Sequence, residues 1–437
     1  MRISRLCRGL PQYGINPVVL TVKNPLVEGT DDSISFASGT RVERAGMLLT
    51  PVDLYRRWRT TVKGTQTPSS SATNSISRPR APFRRHLLSL LQIPDIHWGW
   101  YWPATLAAKR LVKRELFSAI LSSGPPWTCH LIARYIKEKY HLPWIADFRD
   151  AWTQDPFRYE EEGGTPGWRK GLDRRLESSC LRFADLIVST TDAIREGFVA
   201  ANPAIPSSKF VTLTNGVDDT VRYPTSTKHL GARRLILHLG SLYGGRRRID
   251  TFCQAITDLV SAGRLDPASF KVLFLGVEEP VSDIKGIAEG IAPELVKSGS
   301  LEFLPRVSWL DGQKILMEAD TLLIFAGDNT LIVPAKFFEY LPTGKPIFAV
   351  VEKGALTEIV ESTASGLWVE PGNSAKIAEK ILQILQWSPR SPEAIEPLIR
   401  QYQPKVLAER LAGWITTLVV ERGSLNQSAA PSTARLD

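Results

Sequence analysis

Short apolar runs recur along the chain, and most are followed by a segment in which apolar residues return every three or four positions. Pro17–Val22, Ser118–Ser123, Leu142–Phe148, Asp185–Thr190 and Phe210–Thr214 form a first series. Arg234–Leu239, Lys271–Leu275, Leu301–Leu304, Thr321–Phe325 and Pro346–Val351 form a second. Runs of this length read as strands buried on both faces, and the spaced segments read as amphipathic helices. Leu172, Leu176 and Cys180 within Trp168–Phe183 are one such spacing, and Phe252, Ala255, Ile256, Leu259 and Val260 are another. Repeated strand–helix alternation predicts parallel sheets covered by helices, an α/β fold. The two series part after Asn215-Gly-Val-Asp, so domains are expected over 1–215 and 233–405, with the polar, charged stretch 216–232 as linker. Residues 64–82 are polar, proline-bearing and aperiodic, which predicts a mobile insertion, and the polar end 424–437 is expected to be disordered.

A chain of 437 residues, 43% hydrophobic and 23% charged, is long enough to bury a sizeable core. Its four cysteines, Cys7, Cys129, Cys180 and Cys253, are far apart and form no Cys-x-x-Cys pair, so neither a disulfide framework nor a metal site is expected and a reducing cytoplasm fits. Lys plus Arg exceeds Asp plus Glu by 54 − 45 = 9, which favours a polyanionic surface or ligand. The basic residues interleave with α/β periodicity and form no nucleic-acid-binding module, so nucleic acid is not an expected partner. No apolar run is long enough to span a bilayer, and Met1-Arg-Ile-Ser-Arg lacks the apolar segment of a secretory signal; a cytoplasmic protein is expected, with the inner membrane face as a peripheral site. Basic residues meet large aromatics at Phe83-Arg-Arg-His and Ile96-His-Trp-Gly-Trp-Tyr-Trp-Pro. That interleaving suits an anionic membrane surface; the alternative, which the usual burial of Trp favours, is tryptophans packed in the core beside the next helix.

Candidate chemistry gathers where strands end. In Val333–Val351, Pro334 suits a helix start, Lys336 adds a cation, and Glu339 lies one turn on, where a carboxylate can accept two adjacent hydroxyls. A cation beside a diol acceptor forms a receptor for a nucleoside diphosphate; the alternative is an ordinary amphipathic helix with a solvated glutamate. The strand Arg234–Leu239 runs into Gly240-Ser-Leu-Tyr-Gly-Gly-Arg-Arg-Arg, where Gly240, Arg246 and Arg247 are expected to meet phosphate; the glycines at 240, 244 and 245 do not form a dinucleotide fingerprint. In the other half, Arg149 and Asp150 sit at the mouth of a strand, where α/β folds place chemistry, so a site role is expected for both. His130 opens the helix after Gly124-Pro-Pro-Trp, either as a donor to a ligand or as a satisfied structural histidine.

Residues 333–351 resemble the nucleotide-sugar signature of family 4 glycosyltransferases of the GT-B fold, and Gly354–Gly372, with Glu358-Ile-Val, Gly366-Leu-Trp-Val and Pro371-Gly, continues the likeness. The resemblance implies two doubly wound Rossmann-like domains facing a cleft, with a final helix over 406–423 crossing back to the first. It implies retaining transfer of a sugar from a nucleotide diphosphate sugar to a glycan or lipid-linked acceptor, with no cofactor and no obligatory metal. Glu339 takes the position that binds the ribose hydroxyls, whereas the glutamate usual eight positions earlier is Leu331. The family's Arg after the first glycine is Ser241, and its Lys five positions on is Arg246, with Arg247 as a substitute cation. Leu304-Pro-Arg-Val places Arg306 toward the base. Asp147-Phe-Arg-Asp-Ala-Trp resembles a motif of a polysaccharide-building branch, and Arg149 falls where many members carry a histidine near the donor sugar. Members begin with a strand and a glycine-rich acceptor-side loop before the first helix, and this sequence opens on that helix. The expectation is a start internal to a longer gene or a first sheet short of one strand. Two alternatives accompany this reading, a catalytically silent GT-B subunit that binds a partner or a membrane, and a nucleotide-sugar epimerase.

Overall fold

The computed structural model describes residues 2–23, 39–50, 90–159, 166–218, 233–242, 247–277, 281–327 and 329–428, with side chains described as far as 422. The expected insertion at 64–82, most of the 216–232 linker, Phe83-Arg-Arg-His and Arg246 lie outside the described residues.

The strands fall into two groups, as the two apolar series predict. In the first half, β1 (Val18–Val22) pairs in parallel with β2 (Arg41–Ala45). Apart from that pair, β3 (Ile120–Gly124), β4 (Trp144–Phe148), β5 (Leu186–Ser189) and β6 (Phe210–Thr212) form a parallel sheet in sequential order. In the second half, β7 (Arg234–Leu239), β8 (Phe270–Val277), β9 (Leu301–Pro305), β10 (Thr321–Gly327), β11 (Ile347–Val351) and β12 (Gly366–Val369) form one sheet of order β12-β11-β10-β7-β8-β9. All pairings are parallel, and the order reverses between β7 and β10. All five residues of β4 and all five of β11 are buried, so these runs, apolar except for Asp147, are explained by helices on both faces. β2 escapes the sequence reading because Arg41-Val-Glu-Arg-Ala has one partner and an exposed flank, which charged residues tolerate.

The opening helix, Arg2–Gly9, and the final helix, Pro404–Ser428, close on each other. A methyl group on Gly9 would lie 2.5 Å from Ala408 Cβ, so the glycine permits the approach. Leu6 and Leu10 share one apolar cluster with Leu407, Leu411 and Ile415 of the final helix and with Ile145, Val188 and Leu213 of the first sheet. The final helix therefore packs on the first domain, and it runs to Ser428, past the expected boundary at 423.

Arg2 reaches from the opening helix to Asp147 on β4 at 2.8 Å and donates to the carbonyls of Leu213 at 2.9 Å and Thr214 at 2.6 Å. Burial pushes the Asp147 carboxyl up, but Arg2 and the Ser123 hydroxyl outweigh it and hold it below its ordinary range. The partner of Asp147 is thus Arg2, not its neighbour Arg149.

The aromatic stretch divides between the two readings. Trp100 is buried with Ala45, Ala104 and Ile132, while Trp102 is 63% exposed. Among the described residues, no helix is long and apolar enough to cross a membrane.

Glu177, on the helix Gly167–Phe183, accepts from the Thr153 amide at 2.7 Å and the Thr153 hydroxyl at 2.8 Å, and burial pushes its carboxyl up to about 7. A carboxyl whose folded pKa is raised stabilises the fold below its unfolded value, and that stability is lost as pH rises through the folded value. Between pH 4.5 and 8 the loss from this group should be about 3 kcal/mol. Urea unfolding at both pH values should show that Glu177→Gln loses less stability on this rise than the parent does. An identical loss in both would show that Glu177 titrates alike in the folded and unfolded chain.

Candidate active site

The second domain's site is built at the carboxyl end of β7. Gly240 follows the strand with φ 98°, a left-handed conformation that favours glycine, and its amide donates to Leu275 O at 2.7 Å. A methyl group there would lie 3.4 Å from Lys336 Nζ, so the ammonium rests over the bare backbone of the turn. Lys336 comes from the short helix Ala335–Tyr340, which buries Phe337, Phe338 and Tyr340 and leaves Lys336 and Glu339, three positions apart, half-buried on another side. The Tyr340 hydroxyl accepts from the Leu239 amide at 2.9 Å, tying that helix to the end of β7.

Lys336 is oriented by His238, a fully buried β7 residue the sequence reading passed over. His238 Nδ1 lies 3.0 Å from Leu323 O, and its Nε2 lies 3.3 Å from Lys336 Nζ. A carbonyl can only accept, so Nδ1 carries the proton and Nε2 offers its lone pair to the ammonium. Burial, reinforced by the charges of Lys336 and Arg247, pushes the imidazole well below its ordinary range and keeps it neutral.

Glu339 faces a second cluster. Burial pushes its carboxyl up, while Arg5 and Lys336 pull it down and Asp218 pushes it up again. Arg5 is itself held by Gly216 O and Asp218 Oδ2, each at 2.7 Å. The opening helix therefore brings a cation beside the candidate ribose acceptor. Nothing in the sequence announces this, because Arg5 and Glu339 are brought together only by the docking of the two ends of the chain. Arg247 donates to Ser241 O at 3.1 Å and braces the loop that follows Gly240. Arg306 lies exposed just past β9.

In the first domain Arg149 and Asp150 do stand at the mouth of β4. The Arg149 guanidinium grips the carbonyls of Gly124 and Pro125, so it fixes the turn after β3. Burial pushes the Asp150 carboxyl up, and Arg149 opposes the shift. Of the two readings of His130, the structure supports the structural one. It is fully buried, its Nδ1 meets Ser122 Oγ at 2.8 Å, its ring stacks on Phe148 at 4.3 Å, and burial pushes it down to about 3. A ring sealed in that position does not reach a ligand. Leu331, where the family glutamate is missing, packs with Ile332 against the first domain's core, and its carbonyl accepts from Thr191 Oγ1 at 2.6 Å. The residue serves domain packing in this chain.

Residues 1–216 match the Glycosyl transferase 4-like domain family, and residues 233–386 match the Glycosyl transferases group 1 family. The chain belongs to the family 4, group 1 glycosyltransferases of the GT-B fold. Sucrose-phosphate synthase (tll1590) from Thermosynechococcus elongatus is a structural neighbour, with TM-score 0.58 and 15% identity over 98% of this chain and 92% of that one. The lipopolysaccharide outer core galactosyltransferase WaaB, in its apo form, gives TM-score 0.57 and 11% identity over 96% of this chain and 95% of its own. Anabaena Alr3699/HepE, solved with UDP, gives TM-score 0.51 and 14% identity over 79% and 89%. At these identities the likeness is one of fold. No curated protein matches the sequence.

The glycosyltransferase has six histidines, and two of them, His130 and His238, should remain neutral throughout ordinary titration. Nitrogen-15 spectra of histidine-labelled protein should show two imidazoles that do not titrate above pH ~5, and His238→Phe should remove one that carries its proton on Nδ1. A His238 signal titrating near 6.5 would contradict its role as acceptor for Lys336.

Proposed function

We propose that the protein is a retaining glycosyltransferase that moves a sugar from a nucleotide diphosphate sugar to a glycan or lipid-linked acceptor in cell-surface polysaccharide synthesis. The observation that carries the reading is the placement of Lys336 over Gly240, with Glu339 one turn away on the same short helix. In this reading Glu339 accepts the ribose hydroxyls, and Lys336 faces the diphosphate at the carboxyl end of β7. As the bond to the sugar breaks, negative charge grows on the departing phosphate oxygen, and a fixed ammonium interacts with it more strongly than with the ground state. His238 holds that ammonium in place beforehand, so little reorganisation accompanies the step. Arg247, held on Ser241 O, adds positive charge, with Arg246 next to it in sequence, and no cofactor or metal is required by this chemistry. Arg149 and Asp150 stand at the mouth of β4 in the first domain, and in this reading the acceptor enters on that side. A neighbour of this fold solved with UDP favours a uridine diphosphate donor.

The exposed Trp102, with the basic residues that precede it in the sequence at Arg78–Arg85, motivates contact with anionic lipid at the inner membrane face. Group 1 membership favours transfer over the epimerase alternative. The silent-subunit alternative is separated by assay, since a subunit of that kind releases no nucleoside diphosphate from any donor.

Two substitutions test the assignment with UDP-sugars as donors. Glu339→Ala should weaken UDP binding by about 1–3 kcal/mol in calorimetry with the fold retained. Lys336→Ala should lower kcat by about a hundredfold and change donor KM less, the scale of removing one preorganised donor. Parental UDP affinity in the first variant would refute the ribose role. Parental kcat with a raised KM in the second would mean that Lys336 only attracts the donor.

A further inference from the structure

The short helix that carries Lys336 and Glu339 rests on the segment by which the chain leaves the first domain. Val217 of that segment shares an apolar cluster with Phe337, Phe338 and Tyr340 of the helix and with Tyr402. The Val217 amide donates to Tyr402 O at 2.9 Å, so the outgoing crossing at 216–218 and the returning chain at Tyr402 lie side by side. The Tyr402 ring meets Phe338, the residue before Glu339, edge-on at 5.4 Å. A methyl group on Gly216 would lie 2.6 Å from Leu407 Cδ1 and 2.8 Å from Tyr402 O, so the crossing is pressed close against the returning chain. Helix and crossing are thus one packed unit, and a displacement of the crossing is transmitted to Glu339.

Arg5 fastens this crossing to the first domain. From the opening helix its guanidinium donates to Gly216 O through Nη1 and to Asp218 Oδ2 through Nη2, each at 2.7 Å, on either side of Val217. Both side chains of the ion pair are 12% exposed. A planar fork on two acceptors fixes a guanidinium in orientation as well as in position. Arg5 and Lys336 then stand against Asp218 and Glu339, and these four charges balance. Burial pushes the Glu339 carboxyl up, and of the charges that pull it back Arg5 comes first and Lys336 second. Taking Arg5 away leaves two carboxylates to one ammonium in a place with little water, and the carboxyl already pushed up is the one that takes a proton. A protonated carboxyl is the weaker acceptor for a hydroxyl, because charge-assisted hydrogen bonds are about twice as strong as neutral ones.

We propose that Arg5 is a positioning residue for ribose recognition, which from the first domain pins the crossing against the donor helix and holds the Glu339 carboxylate toward the two hydroxyls. The inference rests on the assignment of Glu339 as ribose acceptor above. Nucleotide recognition is then a joint property of both domains, although Arg5 touches neither the nucleotide nor the reacting atoms.

The test measures the affinity of the full chain for UDP and for 2′-deoxy-UDP by calorimetry, because the difference between the two reports the hydroxyl contact. The parent should prefer UDP by about tenfold or more, the scale of one hydrogen bond to a charged group, and Glu339→Ala should abolish the preference. Arg5→Gln, which keeps a donor for Gly216 O and loses the charge, should reduce the preference to about twofold or less. Arg5→Lys, which keeps the charge and loses the fork, should fall between the parent and Arg5→Gln, and it decides if Arg5→Gln fails to fold. A purely structural arginine would weaken both nucleotides alike and leave the preference intact. That result, or a parental preference in Arg5→Lys, would overturn the role. No preference in the parent would count against the ribose assignment itself, and the inference would fall with it. A preference that Glu339→Ala abolishes and Arg5→Gln keeps would overturn Arg5 alone. If the chain binds neither uridine nucleotide, GDP and 2′-deoxy-GDP take their place in the same comparison, with the same outcomes.

Discussion

A neutral imidazole fixed between a carbonyl and an ammonium is the contact on which the donor side depends. His238 is sealed among Phe274 and Phe325 in the second domain's core, with ring centroids at 5.9 and 5.5 Å, so taking a second proton would place an unpaired charge in apolar surroundings. Its one proton is committed to Leu323 O, and its lone pair must face a donor. Lys336 fills that requirement, and Gly240 is the residue that lets its ammonium come so close to the end of β7. Tyr340 fixes the helix that carries Lys336 and Glu339 to the same strand end. Strand, turn and helix are thus locked into one unit before any ligand arrives, which is the condition for electrostatic stabilisation without reorganisation.

The first domain meets this unit through its ends. The opening helix is clamped by the final helix, and that clamp sets Arg2 against Asp147 and Arg5 beside Glu339. Removing one partner from a buried ion pair such as Arg2–Asp147 leaves an uncompensated charge, an effect of about 3–5 kcal/mol. The same docking makes the candidate ribose acceptor sensitive to a residue more than three hundred positions away in sequence. Leu331 and Ile332 close the contact from the second domain with apolar surface.

How much of this the sequence disclosed follows from the range of each interaction. β4 and β11 were legible because every residue in them is buried and all but Asp147 are apolar. Lys336 and Glu339 were legible because a helix places residues three apart on neighbouring positions, and the surrounding pattern names the helix. β2 was hidden by its charges, which an edge strand tolerates. His238 was hidden inside Leu-Ile-Leu-His-Leu, where a strand residue's neighbours come from other strands and cannot be read locally. His130 had two readings, and only its packing on Phe148 separates them. The partners of Arg2 and Arg5 lie on elements far apart in the chain, so no local spacing could announce them.

The most direct measurement is a crystal structure of the protein bound to UDP. The account predicts both ribose hydroxyls within hydrogen-bond distance, about 2.5–3.0 Å, of the Glu339 carboxylate, and a diphosphate oxygen within about 3 Å of Lys336 Nζ while that ammonium keeps its contact with His238. A nucleotide bound elsewhere, or one whose diphosphate turns away from Lys336 and Gly240, would contradict it.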